Sequence, residues 1–314
     1  MTYALVTFWD GVETRLGVRH ANGNIVAPPE LKQWPTMLDL LDNWAQAAGV
    51  LSAMSHAAAP LVDDAVLLTP ISWPRKVLCA GVNYRKHVRE MGAEVPGDGW
   101  KPFFFLKPPS TSVIGPTDPI MIRNAEAARY DWEAELAVVI GVRGRDIPIE
   151  RALEHVAGYC VANDITARGY HRRASVPADA FRYDWFASKA RDGSLPLGPG
   201  LTPAWLVPDP QDLRIRLWVN DELQQDGSTA DMICDIPTLV AAASQAVTLE
   251  PGDVISTGTP AGVGAGRGVS LRPGDVVRTE IEQLGVLVNR IVAADPPVHA
   301  HRPPTPPRSR LEEP

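Results

Sequence analysis

Two glutamates separated by one residue are the first candidates for chemistry in this chain of 314 residues. Glu133 and Glu135 open an apolar run, residues 136–141, that predicts a buried β-strand. Side chains alternate across a strand, so both carboxylates point to the same face. Buried carboxylates need a positive partner, and a hard divalent cation such as Mg²⁺, Mn²⁺ or Ca²⁺ accepts oxygen ligands. The alternative is an edge strand whose polar face is in contact with water.

A third carboxylate stands at the end of another apolar segment. A strand is predicted to end at Asn163 and Asp164. Together with Glu133 and Glu135, Asp164 would complete a set of oxygen ligands that leaves open positions for water or substrate, as Mg²⁺ prefers. The alternative is that Asp164 caps a helix that follows.

A histidine and a glutamate lie three residues apart in the segment 81–92. Asn83 is predicted to cap a short helix and Gly92 to end it. His87 and Glu90 then share one face of that helix. A carboxylate beside an imidazole raises its basicity and orients its ring, which suits a general base acting on water. The alternative is an exposed surface pair, which contributes little.

Two further segments could contact a substrate. Lys189 precedes a rigid Pro/Gly turn at residues 196–199 and could present its ammonium to a developing oxyanion. A solvated loop lysine is the alternative. Residues 256–264 are small, and their backbone N–H groups could hold a substrate carboxylate, unless they form only a turn between strands. No Gly-Lys-Ser/Thr follows, so the segment is not a P-loop, and the alternating glycines 262, 264, 266 and 268 do not match the G-x-G-x-x-G spacing.

The composition is that of a soluble globular protein. The chain has 45% hydrophobic and 21% charged residues, and its formal net charge of -7 argues against general binding to nucleic acids or anionic membranes. We expect no targeting or membrane-spanning segment. The three cysteines are far apart and form no metal-binding or disulfide pattern, so we expect a cytoplasmic protein.

The strand and turn signals predict an α+β, β-rich protein with two units and a tail. Residues 1–70 are predicted to form a small N-terminal α+β domain with two short strands and a helix after Pro35. Residues 71–294 carry strand-like runs between Pro/Gly turns and are predicted to form a larger β-rich domain, to which the resemblance described below assigns the catalytic role. Residues 295–314 contain seven prolines and little to bury, so we expect a disordered tail.

Five motifs occur in one order along the chain. They are Asn83-Tyr84-x-x-His87-x-x-Glu90, Glu133-x-Glu135-Leu136, Asn163-Asp164-x-Thr166-Ala167-Arg168, Ser188-Lys189 with Pro196-Leu197-Gly198-Pro199, and Thr257-Gly258-Thr259-Pro260-x-Gly262-Val263-Gly264. As a set they resemble the fumarylacetoacetate hydrolase superfamily, over roughly residues 75–293.

The resemblance implies a mixed β-roll or sandwich fold, a homodimer and a bound divalent cation. The implied metal ligands are Glu133, Glu135 and Asp164, with Mg²⁺ or Mn²⁺ as the usual ion and Ca²⁺ as an alternative. His87 and Glu90 match the pair that activates water in relatives. Lys189 matches the lysine that steadies the oxyanion. The implied substrate contacts are Tyr84, Arg168, Gly258 and Thr259.

The implied reaction is hydrolysis of a carbon–carbon bond in a β-diketo acid of the acylpyruvate or fumarylpyruvate type through a metal-bound enolate, as in aromatic catabolism. Isomerisation or hydration of a 2-hydroxy-dienoate and decarboxylation of an oxaloacetate-like acid use related chemistry and stay open. A non-catalytic metal-binding module is the remaining alternative. Two departures bear on the keto-acid substrate: Gly169-Tyr170-His171 stands where relatives commonly have Asp-x-Gln, and Lys189-Ala190-Arg191-Asp192 stands where many have Lys-Ser-Phe-Asp.

Overall fold

The structure is a computed structural model that describes residues 3–56, 59–97 and 99–294. The predicted tail, residues 295–314, lies outside the described residues. The strands are β1 (Tyr3–Trp9), β2 (Thr14–His20), β3 (Ile25–Val26), β4 (Val66–Leu67), β5 (Val77–Gly81), β6 (Phe103–Leu106), β7 (Val113–Ile114), β8 (Ile120–Ile122), β9 (Tyr130–Asp131), β10 (Ala134–Ile140), β11 (Val156–Asn163), β12 (Thr166–Ala167), β13 (Leu195–Pro203), β14 (Arg214–Val219), β15 (Glu222–Ser228), β16 (Val254–Ser256), β17 (Val276–Ile281) and β18 (Gly285–Ala293).

The helices are short and lie between the strands. They are α1 (Met37–Asp42), α2 (Trp44–Ala53), α3 (Arg85–Glu90), α4 (Pro109–Ser112), α5 (Ala125–Ala128), α6 (Trp185–Lys189) and α7 (Ile236–Ala246). Short segments of 3₁₀ helix join several strands, and the one before β11 spans Ile149–His155. No helix among the described residues combines the length and apolar character that crossing a bilayer requires.

The largest sheet of the described chain has 11 strands, in the order β3-β2-β1-β13-β11-β10-β16-β5-β6 along its main path. Its central strands β10 and β11 are antiparallel, and every residue of both is buried. Along β10, Leu136 and Val138 pack in one apolar cluster, whereas Ala137 and Val139 pack in another. The apolar run is therefore continuous because both faces of the sheet are covered.

A second sheet, in the order β15-β14-β17-β18-β8, covers one of these faces. Alternate residues of its strands, such as Ile215 and Leu217 in β14, join Leu136 and Val138 in the same buried cluster, together with α7. Both sheets are mixed, since β16 runs parallel to β5 and β18 runs parallel to β8. Two mixed sheets with few helices confirm the predicted β-rich α+β fold of the roll or sandwich type.

The N-terminal segment is joined to the main sheet. Strand β1 pairs with β13 through Leu5 and Leu201. The helix predicted after Pro35 forms as α1, whose first turn is closed by reciprocal hydrogen bonds between Thr36 and Asp39. One apolar cluster contains residues of both predicted units, among them Leu5 and Leu201. The domain boundary at residue 70 stays a prediction.

Candidate metal centre and active site

Three carboxylates converge where β10 begins and β11 ends. Ala134 lies opposite Asn163 in this antiparallel pair, so Glu133 and Glu135 lie next to Asp164. One oxygen from each carboxylate lies within 4.8 Å of the other two, and all three residues are buried. Strand β10 is hydrogen-bonded on both sides, to β11 and to β16, so the edge-strand alternative is wrong.

Two cations neutralise one side of this cluster. The Lys189 ammonium donates to Glu133 Oε2 and Asp164 Oδ2, both at 2.7 Å. Arg168 donates to Glu133 Oε1 at 2.6 Å and to Asp131 Oδ2 at 2.9 Å. Burial alone would raise the pKa of Glu133, but Lys189 and Arg168 lower it to about 2. Lys189 is buried at the end of α6, so it is not a solvated loop lysine.

Glu135 is in the opposite electrostatic situation. Its carboxylate accepts hydrogen bonds from the Ser256 hydroxyl and, at 2.9 Å, from the Gly258 N–H, and it forms no ion pair with any cation of the described chain. Burial and the negative charges of Asp164 and Glu133 raise the pKa of Glu135 well above its usual value. A divalent cation would remove this penalty by accepting an oxygen from each carboxylate. The donor set, oxygen atoms only, fits Mg²⁺ or Mn²⁺.

A buried lysine that the sequence analysis missed lies beneath the cluster. Lys107 Nζ is 2.8 Å from Asp164 Oδ1 and has no exposed side-chain surface. It donates to the carbonyl oxygens of Ile165 at 3.1 Å, Lys189 at 2.6 Å and Ser194 at 2.9 Å. Lys107 therefore links the backbone at Ile165, next to the predicted ligand Asp164, to the backbone of Lys189. Its only sequence signal is a charged residue placed directly after the apolar strand β6.

The predicted histidine–glutamate pair forms on α3. His87 Nδ1 lies 2.9 Å from Glu90 Oε2, and His87 is only 7% exposed, which rules out a surface pair. The other Glu90 oxygen accepts a hydrogen bond from the Gly262 N–H at 2.9 Å. Burial alone would raise the pKa of Glu90, but the hydrogen bonds from His87 and from the Gly262 N–H hold it below its usual value. The carboxylate is therefore fixed from both sides and can orient the imidazole.

Two expectations about the start of this helix are wrong. Asn83 does not cap α3, because its side-chain amide bonds instead to the backbone of Cys234 and to the Thr257 carbonyl oxygen. The N-cap position is occupied by Tyr84, which makes no side-chain capping bond. Tyr84 is completely buried in the apolar cluster between the sheets, where burial raises the pKa of its hydroxyl. The structure therefore does not bring Tyr84 to the site as a substrate contact.

The glycine-rich segment 256–264 also differs from the expectation. Three of its glycine N–H groups donate to protein carboxylates, so these three are not free to cradle a substrate carboxylate. Gly258 adopts φ +91°, and a Cβ there would lie 2.9 Å from that of Asn83, so only glycine fits. The donors and their acceptors are Gly258 with Glu135 at 2.9 Å, Gly262 with Glu90 at 2.9 Å, and Gly264 with Asp131 at 2.7 Å.

Thr259 is held in the same way by the protein. Its hydroxyl donates to the Ala134 carbonyl oxygen at 2.9 Å and accepts from Gln225 Nε2 at 2.8 Å. These bonds anchor the turn to the first residue of β10, next to both glutamates.

A cavity of about 410 Å³ connects most of these groups. It is bordered by seven of the predicted site residues and by a set of apolar and aromatic side chains. Glu90, Asp164 and Tyr84 are not among its lining residues. The predicted residues that line it are His87, Glu133, Glu135, Arg168, Lys189, Gly258 and Thr259. The residues that the sequence analysis did not assign include Val82, Met91, Phe105, His171, Tyr183 and Trp185.

The comparisons with known proteins agree on one family. A family model described as the C-terminal domain of fumarylacetoacetate (FAA) hydrolase matches residues 76–292. Human oxaloacetate tautomerase FAHD2B, described as mitochondrial, is 38% identical over 286 residues, which cover 90% of this chain and 87% of that protein.

Solved structures give the same result. The fumarylacetoacetate hydrolase EaFAH of the psychrophilic Exiguobacterium antarcticum matches with a TM-score of 0.77 and 36% identity, covering 93% of this chain and 100% of that one. The maleylpyruvate hydrolase of Sphingobium sp. SYK-6, solved with manganese(II) and pyruvate, matches with a TM-score of 0.72 and 32% identity, covering 93% of this chain and 99% of that one.

Proposed function

The chain belongs to the fumarylacetoacetate hydrolase family, and we propose that it is a divalent-metal-dependent hydrolase that cleaves a carbon–carbon bond in a β-diketo acid of the acylpyruvate type. One observation carries the proposal: a histidine oriented by a carboxylate, a buried lysine and two members of the acidic cluster line the same cavity. A binding module would not need the oriented histidine, so a catalytic role fits the arrangement better.

The proposed cation site consists of Glu133, Glu135 and Asp164, with Mg²⁺ or Mn²⁺ as the ion. Bound there, the cation would polarise the 2-oxo acid end of the substrate and stabilise negative charge as an enolate develops. The maleylpyruvate hydrolase of Sphingobium sp. SYK-6 was solved with manganese(II) and pyruvate, which is itself a 2-oxo acid.

His87 is the proposed general base. Its Nδ1 is held by Glu90 at 2.9 Å, which leaves Nε2 to take a proton from water. The resulting hydroxide adds to the carbonyl carbon remote from the 2-oxo acid end. The bond between that carbon and the neighbouring methylene carbon then breaks, and its electron pair stays with the pyruvate fragment, which is protonated to complete the reaction.

Lys189 is the proposed oxyanion donor. Its ammonium is desolvated and is held at 2.7 Å from two carboxylate oxygens, so its position is set before the substrate binds. Burial alone would lower the pKa of Lys189, but the charges of Asp164 and Glu133 raise it, so the ammonium stays protonated. A fixed positive charge of this kind stabilises a tetrahedral oxyanion without reorganisation during the reaction. Among the other predicted contacts, Arg168 is committed to Asp131 and Glu133 and would act by holding a proposed ligand in place.

A second candidate is keto–enol tautomerisation of an oxaloacetate-like acid. The observation that favours it is the 38% identity with human oxaloacetate tautomerase FAHD2B over 90% of this chain. Tautomerisation moves a proton between carbon and oxygen and uses no attacking water, so His87 could serve it as well.

The deciding experiment compares substrates on one preparation of the full chain. Metal is removed with a chelator and restored as Mg²⁺ or Mn²⁺. Acetylpyruvate, fumarylpyruvate and oxaloacetate are then assayed as substrates. His87→Phe, treated in the same way, is the matched variant. We expect pyruvate release from the acylpyruvates that needs the metal and is lost in the variant. Interconversion of oxaloacetate tautomers without any pyruvate release from acylpyruvates would replace the hydrolase proposal with the second candidate.

The assembly and the compartment belong to the same proposal. We propose a homodimer, supported by the exposed side chains of Phe103 (42%) and Leu106 (61%) on β6, which ends the main path of the large sheet. Light scattering of the purified chain would measure the mass. A cytoplasmic location stays a prediction, because the human relative is described as mitochondrial.

A further inference from the structure

Four rings line the cavity together with the charged groups. We call Phe105, His171, Tyr183 and Trp185 the aromatic wall, and all four line the cavity. Trp185 stacks on Phe105 with ring centroids 5.1 Å apart, and His171 meets Trp185 edge to face at 4.5 Å. Flat rings in such contacts present an apolar surface that suits a planar group. His171 is the only one of the four whose ring contains two nitrogen atoms.

The hydrogen bonds around His171 fix its tautomer. Nδ1 lies 3.1 Å from the Ser188 hydroxyl oxygen. That oxygen is also 2.9 Å from the Asp184 carbonyl oxygen and 3.2 Å from the Trp185 carbonyl oxygen. A serine in a helix commonly directs its single hydroxyl proton at the carbonyl oxygen four residues earlier, here that of Asp184, which is the nearest acceptor. The hydroxyl oxygen therefore faces Nδ1 with a lone pair, and Nδ1 carries the proton.

The surroundings of His171 favour the neutral ring. Burial and the positive charges of Arg168 and Lys189 lower the pKa of His171, and the opposing charges of Glu133 and Asp184 do not reverse this. In a neutral imidazole protonated at Nδ1, Nε2 carries a lone pair and accepts hydrogen bonds. No residue of the described chain hydrogen-bonds to Nε2, so the aromatic wall holds an acceptor without a protein donor.

We propose that His171 determines substrate specificity by accepting, through Nε2, a hydrogen bond from a neutral hydroxyl group at the acyl end of the substrate. The inference rests on the proposed function and narrows it to acylpyruvates whose acyl group is planar and carries a hydroxyl, such as a hydroxyaryl group. A carboxylate at the same end would meet a lone pair instead of a donor, and both groups would lose their hydrogen bonds. Dicarboxylate substrates are therefore disfavoured at this wall.

The test measures binding, so that it does not depend on turnover. Phenylpyruvate, 4-hydroxyphenylpyruvate and 4-carboxyphenylpyruvate lack the second carbonyl group and cannot undergo the proposed cleavage. Their dissociation constants are measured by calorimetry on the full chain with Mg²⁺ present, for the wild type, for His171→Phe and for the distant control His155→Phe. We expect the wild type and the control to bind the hydroxy compound about tenfold more tightly than phenylpyruvate, since only the hydroxy compound can donate a hydrogen bond to Nε2.

In His171→Phe, which keeps a ring but has no acceptor, the ratio of these two dissociation constants should fall to about one. In His171→Gln, whose amide can donate, the carboxy compound should gain affinity relative to phenylpyruvate. A hydroxyl preference that survives in His171→Phe, or that is missing in the wild type, overturns the inference. Failure of the wild type to cleave any acylpyruvate would instead overturn the proposed function, and the binding ratios would still decide the role of His171.

Discussion

The floor of the cavity and the aromatic wall are built in different ways. We define the floor as the buried charged groups Glu133, Glu135 and Lys189, which line the cavity, together with Asp164 and Lys107, which are joined to them by ion pairs. The three carboxylates lie at the ends of long central strands, and the two lysines hold Glu133 and Asp164 by ion pairs of 2.7 to 2.8 Å. The wall lies on short segments that are in contact with solvent, and Tyr183 is 55% exposed. The floor is thus fixed by central strands, whereas the wall is carried by the terminal strand β6 and by segments outside the sheet, which can change more easily.

The difference separates two tasks of the site. Buried charges are tolerated only where partners neutralise them, so the floor has a structural need for its lysines and for a cation beside Glu135. The ring contacts of the wall carry no such requirement. Changes in the floor should therefore abolish activity or stability, and changes in the wall should mainly alter which substrate is accepted.

The largest effect is expected for Glu135→Gln. The variant loses the negative charge of a proposed metal ligand. We expect kcat/KM to fall by at least about four orders of magnitude, which corresponds to an increase of ~5.4 kcal/mol in the activation free energy. Calorimetry should show weaker binding of Mg²⁺ or Mn²⁺. The melting temperature without metal should not fall, because the amide removes a carboxylate that burial and two neighbouring carboxylates disfavour. A lower melting temperature with unchanged activity would point to a purely structural cation site.

The next largest effect is expected for Lys107→Met. The variant leaves Asp164 and three carbonyl oxygens without their buried ammonium, and removing one partner of a buried ion pair costs about 3–5 kcal/mol. Urea unfolding should show this loss in the free energy of unfolding. The exposed Lys101 provides the matched control, since Lys101→Met should change stability by no more than about 0.5 kcal/mol. If the two variants unfold with the same free energy, Lys107 does not stabilise the buried charges of the floor.

Lys189→Ala tests the proposed catalytic role of the floor. The loss of one oxyanion donor typically raises the barrier by about 3–4 kcal/mol, so turnover should fall by at least about two orders of magnitude. The fold should survive with metal bound, because a dication would still neutralise Glu133 and Asp164. Steady-state kinetics and circular dichroism on the same sample measure both properties. An unchanged kcat would exclude Lys189 from the reaction.

The sequence predicts the floor far better than the wall. Strand alternation places Glu133 and Glu135 on one face, and an antiparallel partner strand brings Asp164 beside them. The sequence does not predict that Lys107 is buried at the site, because a single lysine forms no periodic pattern. The rings of the wall come from separate segments, so only the folded chain shows that His171 and Trp185 touch.

Local signals also fail where tertiary contacts compete with them. The residue type and position of Asn83 predict a helix cap, but its amide forms three hydrogen bonds to the backbone of distant segments. The small residues 256–264 predict an anion cradle, and in the structure the N–H groups of three of their glycines bind carboxylates of the protein itself. In both places the pattern correctly identifies available hydrogen-bonding groups, and the fold supplies a partner that the sequence does not reveal.

The smallest effect is expected at the base of the wall, in Asp184→Ala. Asp184 caps α6 by accepting from the Ala187 N–H at 2.8 Å, and it pairs with Arg173. The loss of a cap costs about 1 kcal/mol, and Asp184→Asn should recover most of it, because Asn also caps helices. The Ala187 N–H and Arg173 lower the pKa of Asp184. The stabilisation by its charge is therefore complete above the usual pKa of an aspartate and is lost as the pH falls through the lowered value.

Urea unfolding at neutral and acidic pH measures this dependence for wild type, Asp184→Ala and Asp184→Asn. Turnover of acetylpyruvate, which is too small to need the wall, should change far less than in Lys189→Ala, because Lys189, at the other end of α6, is also held by its ion pairs with Glu133 and Asp164. A loss of several kcal/mol in Asp184→Ala, comparable with that in Lys107→Met, would show that the wall belongs to the same cooperative core as the floor. In that case substrate selection could not be altered independently of the charged groups, and the separation of the two regions would be wrong.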